Sequence, residues 1–255
     1  MSLLAAIQFD MSFADPRDNF ARALKLAEQA INQKAQMILW PENFTVSEGF
    51  DRPDQLKTLH QDFLTTLQNF AHKNKVTLFA PMPEFKDQKM YNSLFVINLK
   101  GEIQTVYQKI NLFSPMLEDK IFDSGTAVNV TQIEELKIGL NVCYDLRFPE
   151  PIREQIKMGA QMLVFPAKWP QSRIHHYKSL LVARAIEGQC YVVGCNRVGK
   201  NRLGEYSGES MIVDPWGEVV AQAGSEEEII YAEISLAKVD AVRKKIPCLN
   251  YLFQK

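Results

Sequence analysis

Residues 35–44 read Ala35-Gln36-Met37-Ile38-Leu39-Trp40-Pro41-Glu42-Asn43-Phe44, and a close echo returns 125 residues later as Ala160-Gln161-Met162-Leu163-Val164-Phe165-Pro166-Ala167-Lys168-Trp169. Four of the ten positions are identical and four more keep their character. Each copy reads as the end of a helix, a short buried strand and a proline that stops the strand. Ten apolar-rich residues can match by chance. The other reading is a chain of two related α/β halves packed sheet against sheet. In that arrangement Glu42 and Ala167 take equivalent strand ends, and only the first half carries a carboxylate there.

The flanking sequence can be read outward from these copies. Residues 3–9 form a buried strand. Asp15-Pro16 suits an N-cap followed by a first helical residue, and Phe20, Leu24, Ala27 and Ile31 then recur at helical spacing. Leu56, Leu59, Phe63, Leu67 and Phe70 form a second amphipathic stripe, and residues 77–80 a strand. Residues 93–98 and 104–108 are strands joined by a tight turn near Lys100-Gly101. Around the second copy, residues 138–142 and 162–165 read as strands, and 150–158 and 172–188 as helices. Residues 191–195, 210–213, 219–223 and 229–234 follow as strands, with a turn at Pro215-Trp216-Gly217 and a last helix over 235–245. Strands alternating with helices place the chain in the α/β class. The late run of strands argues against a purely parallel sheet. No linker or charge block divides the chain, so one domain over residues 1–255 is expected.

Composition narrows the function classes. The chain has 255 residues, with 29 Lys and Arg against 30 Asp and Glu, a net charge of −1. That balance gives no general pull toward nucleic acid or an anionic membrane. No stretch approaches the roughly 18 apolar residues of a membrane span. The first ten residues lack the basic start and apolar length of a signal peptide. A reducing cytoplasm is the expected location, with free thiols. The four cysteines are Cys143, Cys190, Cys195 and Cys248. None is spaced as a zinc knuckle or redox pair. Adjacent His175 and His176 diverge and make a poor chelate, so no metal site is expected.

Three residues stand out for chemistry. Cys143 ends the apolar run 138–142 and precedes Tyr144-Asp145-Leu146-Arg147-Phe148-Pro149-Glu150, where Pro149 suits a helix start. A thiol at a strand-to-helix turn sits at the sheet edge and feels the positive end of the helix dipole. A plain core cysteine fits the same residues. Glu42 follows a buried strand, at the end where α/β sheets hold ligands, although a carboxylate there can also cap a loop. Lys109, in Tyr107-Gln108-Lys109-Ile110-Asn111-Leu112-Phe113, follows a strand, where a lone lysine is usually a solvated charge. Together they weigh more. A cysteine nucleophile needs a base, and no histidine lies near a cysteine in sequence. A glutamate can take the thiol proton while an ammonium stabilises an oxyanion.

At these motifs the sequence resembles the nitrilase superfamily, carbon–nitrogen hydrolases with a Glu-Lys-Cys triad. Trp40-Pro41-Glu42 is similar to that family's glutamate motif, residues 107–113 to its lysine motif, and residues 143–150 to its nucleophile motif. Glu118, followed by Phe122 and Gly125, looks like the second glutamate that helps place the lysine and the substrate. The resemblance covers essentially the whole chain. It implies a four-layer α-β-β-α sandwich, a homodimer or larger homo-oligomer, and hydrolysis of a small-molecule amide through a thioester with no cofactor. The Tyr144 backbone N–H is then expected to join Lys109 at the oxyanion. Within the superfamily, residues 166–170, 191–199 and 223–247 look most like the omega-amidases, which hydrolyse 2-oxoglutaramate and 2-oxosuccinamate. Amidases of N-carbamoyl amines or of deaminated glutathione are the alternative. An anionic oxo-acid needs a cation, and Arg173, Lys168 and Arg147 lie in or beside the motif loops. Arg173 is preferred, with Trp169 as an apolar wall. The chain departs from the family pattern at Asn111, often histidine, at Ala80-Pro81-Met82, a glycine-rich strand end elsewhere, and at Trp40, usually leucine. These departures put pocket shape in question.

Overall fold

The computed structural model describes residues 2–11, 15–47, 50 and 53–251. Its elements form two runs of one plan. The first holds β1 (Ser2–Gln8), α1 (Pro16–Asn32), β2 (Met37–Leu39), α2 (Pro53–Asn74), β3 (Thr77–Lys86), β4 (Lys89–Ile97) and β5 (Ile103–Gln108). The second holds β6 (Val130–Ile133), β7 (Leu136–Leu140), α3 (Pro149–Lys157), β8 (Met162–Ala167), α4 (Ile174–Gly188) and β9 (Tyr191–Asn196). The hairpin β10 (Val198–Asn201) and β11 (Gly204–Ser207) leads on to β12 (Met211–Val213) and β13 (Val219–Gln222). β14 (Glu228–Ile234) and α5 (Leu236–Lys245) follow.

The first sheet has the order β14-β1-β2-β3-β4-β5, and the second β6-β7-β8-β9-β12-β13. The two match strand for strand. Each has an antiparallel edge strand, three parallel strands and two more antiparallel strands. The repeated decapeptides occupy the same place in both. Gln36 N–H donates to Leu3 O at 2.8 Å, and Gln161 N–H to Lys137 O at 2.8 Å. Each glutamine side chain also accepts from the same neighbour's N–H, at 3.3 Å from Leu3 and 3.1 Å from Lys137. A chance likeness would not repeat a side-chain bond of that kind, so the chain is built of two similar halves.

The layers follow from burial. Leu4, Leu39, Phe79 and Val96 of the first sheet pack directly on Leu140, Val164, Val193 and Ile212 of the second. Helices α1 and α2 cover the outer face of the first sheet through Ala23, Ala27, Leu59 and Leu67. Helices α3 and α4 cover the second through Ile152, Ile156, Leu181 and Ala185. The parallel strands are therefore buried on both faces, which is why they read as continuous apolar runs. The result is the expected α-β-β-α sandwich. Asp15 caps α1 as anticipated, accepting from Arg17 N–H at 2.9 Å. Among the described residues no helix is long and apolar enough to cross a membrane.

Several boundaries differ from the sequence reading. Strand β3 continues past Ala80, through Pro81 and Pro83, to Lys86. Phe79 O and Pro81 O accept from Trp40 N–H and Phe44 N–H. The missing proline N–H thus faces the β2 side, where the strand has already ended, and the ladder to β4 is undisturbed. The β3–β4 turn uses Asp87 and Gln88, both at positive φ. Without the usual Asn-Gly signal the hairpin was hidden. Strands β6, β10 and β11, four residues each, have no counterpart in the sequence reading. Helix α4 begins at Ile174, after a short 3-10 turn over Gln171–Arg173.

Candidate active site

The groups singled out by sequence converge at one edge of the sandwich. Glu42 lies in the turn after β2, Lys109 follows β5, and Cys143 opens a 3-10 turn (Cys143–Arg147) between β7 and α3. Lys168 and Trp169 follow β8, the counterpart of β2 in the second half. The two repeated turns therefore face each other across the site, and the Lys168 N–H donates to Glu42 Oε2 at 3.1 Å. An echo that began as a sequence pattern thus ends as a contact inside the site.

Lys109 Nζ lies 2.8 Å from Glu42 Oε1 and 2.8 Å from Glu118 Oε1. Asn92, on β4, donates its side-chain amide to the same two oxygens, at 2.7 and 2.8 Å. Glu118 is held in turn by the Phe113 N–H at 2.7 Å. These bonds close a ring of two carboxylates and two donors. Glu42 Oε1 is fully engaged by them, leaving Oε2, with its single backbone donor, for further chemistry. Asn92 carried no signal, standing in the polar first half of β4 beside Tyr91 and Ser93.

Charges in this ring are strongly coupled. Burial alone would raise the Glu42 carboxyl, but the Lys109 ammonium beside it holds it below the usual carboxylate value. Burial would lower Lys109, yet Glu42 and Glu118 hold it well above an ordinary lysine. Both groups are therefore ionised at neutral pH. Cys143 is pushed well up, first by burial and then by the Glu42 charge, so its resting form is the thiol. Its sulfur is within reach of both Glu42 and the Lys168 N–H. The residue sits at φ 46°, a left-handed conformation that costs a side-chain-bearing residue about 1–3 kcal/mol and persists only when the surroundings impose it. Cys143 keeps part of its surface open, whereas Cys190 and Cys195 are buried and Cys248 is exposed.

A cavity of about 130 Å³ opens above these groups, lined by Glu42, Lys109, Glu118 and Cys143 among others. Tyr144 forms part of the wall, its ring edge-on to Phe113 at 4.8 Å. Its N–H belongs to the first turn of a 3-10 helix, where opening N–H groups lack partners within the helix. Trp169 is a buried wall whose Nε1 donates to Arg173 O at 2.8 Å. Arg173 and Arg147 both line the cavity, their guanidinium groups 5.3 Å from the Phe113 ring and 4.7 Å from the Trp169 ring. Lys168 also lines it, but its ammonium donates to the carbonyls of Val46 and Ser47. Burial and nearby Arg197 push that ammonium down to about 7. The cation of Lys168 is thus occupied within the protein, while its backbone meets Glu42.

The three departures from the family pattern do not line this cavity. Trp40 is buried beneath α1, donates Nε1–H to Ala23 O at 3.2 Å and stacks on Phe44. Ala80 and Met82 lie in the same helix-side core. Asn111 turns away to Asp145.

A buried carboxylate, ammonium and thiol at the strand ends of an α-β-β-α sandwich define the nitrilase superfamily. The chain belongs, within it, to the carbon-nitrogen hydrolase family, which residues 3–244 match. It is 36% identical over 251 residues to 2-oxoglutaramate amidase of Bacillus subtilis (strain 168), covering 97% of this chain and 96% of that one. It is 31% identical over 258 residues to omega-amidase NIT2 of Mus musculus, covering 97% and 93%. The crystal structure of Saccharomyces cerevisiae Nit3, a member of branch 10 of the nitrilase superfamily, matches at a TM-score of 0.87 and 28% identity, over 96% of this chain and 94% of that one. The protein is thus an enzyme of the amidase type.

Proposed function

We propose that the chain is an omega-amidase that hydrolyses the terminal amide of a short oxo-dicarboxylic acid such as 2-oxoglutaramate or 2-oxosuccinamate. The observation carrying this reading is the Lys109 ammonium clamped between Glu42 and Glu118 beside the Cys143 thiol, with Arg147 and Arg173 on the cavity wall. Glu42 takes the thiol proton as sulfur attacks the amide carbon. Lys109 and the Tyr144 N–H stabilise the oxyanion. The proton passes from Glu42 to the departing nitrogen, the carbon–nitrogen bond breaks, and ammonia leaves a thioester on Cys143. Glu42 then accepts a proton from water as its oxygen attacks the thioester. Collapse releases the acid and returns that proton to the sulfur.

Arg173 is assigned to the substrate carboxylate, seated on Phe113 at the cavity wall. Arg173→Ala is expected to raise KM for 2-oxoglutaramate roughly tenfold or more, the loss of a charge-assisted hydrogen bond of about 1.5–3 kcal/mol, with kcat changed far less. An unchanged KM in steady-state assays would dismiss the assignment.

Met116, Ile121 and Leu203 on the cavity wall favour a second reading, the same 2-oxoglutaryl group joined to a larger leaving amine, as in deaminated glutathione. Turnover of 2-oxoglutaramate and carbamoylputrescine, followed by ammonia release, and of deaminated glutathione, followed by release of 2-oxoglutarate and cysteinylglycine, measured side by side, decides. Turnover of 2-oxoglutaramate at the highest kcat/KM is the expected result, and its absence would overturn the omega-amidase reading. Carbon dioxide release would mark a carbamoyl substrate. The same reading takes the protein to be a homodimer or larger homo-oligomer of the cytoplasm. All four cysteines are unpaired, which fits a reducing compartment, and light scattering of the purified chain tests the oligomeric state.

A further inference from the structure

We propose that Asp145 is a positioning residue that holds Lys109 and Cys143 in register across the two sheets, an inference that rests on the roles just given to that pair. Asp145 is buried and touches neither the cavity nor the ring around Lys109. Its carboxylate instead gathers four donors. Oδ2 accepts from Tyr107 Oη at 2.7 Å and from Val142 N–H at 2.9 Å. Oδ1 accepts from Asn111 N–H at 3.0 Å and from Asn111 Nδ2 at 2.9 Å.

The positions of these donors carry the argument. Tyr107 and Asn111 stand two residues to either side of Lys109. Val142 immediately precedes Cys143. One carboxylate thus ties both flanks of Lys109, on the loop leaving the first sheet, to the backbone that delivers the thiol from the second. The Val142 bond also closes the turn in which Cys143 is forced into its left-handed conformation. Burial and the neighbouring Asp145 charge raise the Tyr107 phenol well above its ordinary value, so it remains a donor at any working pH. A buried carboxylate with four donors contributes rigidity rather than reactivity. Rigidity is what this site needs, because a displacement of about 1 Å between reacting groups can cost on the order of 100-fold in rate.

Two variants test the proposal. Asp145→Asn keeps the shape but offers one acceptor oxygen and two N–H groups to four donors. Its kcat is expected to fall about 100-fold while KM for the amide stays within about threefold, since nothing that touches substrate has changed. Tyr107→Phe removes the bond to Asp145 and the longer one its hydroxyl accepts from Ile110 N–H at 3.3 Å, and no charge, and its kcat is expected to fall about tenfold with KM likewise kept. The double variant should be no slower than Asp145→Asn alone, because both changes act through one clamp.

The second readout is the pH midpoint of Cys143 alkylation by iodoacetamide, followed by peptide mapping. Lys109 lowers the thiol's pKa, so a lysine slipped out of register raises the midpoint. Loss of the Asp145 charge alone would lower it. The proposal stands if kcat falls, KM holds and the midpoint rises in Tyr107→Phe. A kcat within twofold of the parent, or a midpoint that does not rise, overturns it. If Asp145→Asn fails to fold, Tyr107→Phe decides alone. Cys143→Ala assayed alongside separates the two readings. If it stays active, the reading of the site fails. If it is inactive while Tyr107→Phe behaves as the parent, only the clamp fails.

Discussion

Cys143→Ala is expected to lose turnover by about 10⁴-fold or more with little change in melting temperature. The size follows from the proposed role, because Cys143 is the one cysteine among the residues lining the cavity. Cys190 is buried, with its thiol pushed up to about 12, and Cys195 is sealed between the sheets against Ile7 O and Leu39 O. Neither can substitute. The unchanged stability follows from the backbone. Alanine carries the same Cβ as cysteine, so the left-handed strain at position 143 is neither added nor relieved, and only one partly open sulfur is removed. Ammonia release and thermal denaturation of the same preparation measure both halves of the claim. More than a trace of activity in a well-folded variant would remove Cys143 as the nucleophile. A companion labelling experiment sharpens the point: inactivation of the parent by iodoacetamide should follow modification of Cys143, and not of the exposed Cys248.

What could be read from the residues alone followed a physical divide. The two halves were legible because Gln36 and Gln161 do the same job twice, bonding the start of the neighbouring parallel strand through both backbone and side chain. A structural task repeated in space left a repeated string. Glu42 and Cys143 were legible because each follows an apolar strand, against which a charged or nucleophilic residue stands out, whereas Lys109 follows the mixed strand β5 and gained meaning only beside the other two. The full length of β3 was not legible, because Pro81 and Pro83 signal termination unless it is known that β2 has already stopped beside them. Asn92 was hidden for a related reason. Its value lies in reaching two carboxylates, 50 and 26 residues away in sequence, and no local pattern encodes that distance. The question raised by Trp40 and Ala80 dissolved once their side chains were found facing the helix layer, since a strand position says nothing of which face carries the ligand until both sheets are placed.

The second large effect is expected from Lys109→Met, which should abolish turnover and also destabilise the fold by about 3–5 kcal/mol at pH 7.5, the usual consequence of breaking a buried pair by removing one partner. The Lys109 side chain is 2% exposed, and those of Glu42 and Glu118 are 6% and 13% exposed. Without the ammonium, two carboxylates share a poorly solvated space. The pH dependence then reverses sign. In the parent, the folded value of Glu42 lies below its unfolded value. Its ionised form therefore adds stability above the unfolded value, and that contribution is lost as pH falls through the folded one. In the variant, burial and the Glu118 carboxylate outweigh what is left to oppose them, the Lys168 ammonium, itself pushed down to about 7, and the donors Asn92, Lys168 N–H and Cys143, so the carboxyl is expected to rise above its unfolded value. Stability is then kept in acid and lost as pH rises through the new value. The gap between parent and variant should accordingly be widest near pH 7.5 and narrow toward pH 4.5, as measured by urea denaturation at both. Adding Glu42→Gln and Glu118→Gln to Lys109→Met should recover most of the lost stability but none of the activity, since neutral amides need no counter-ion and supply no base. A gap that stays constant with pH, or a triple variant no more stable than Lys109→Met, would show that the ammonium is not what makes two buried carboxylates tolerable at the heart of this site.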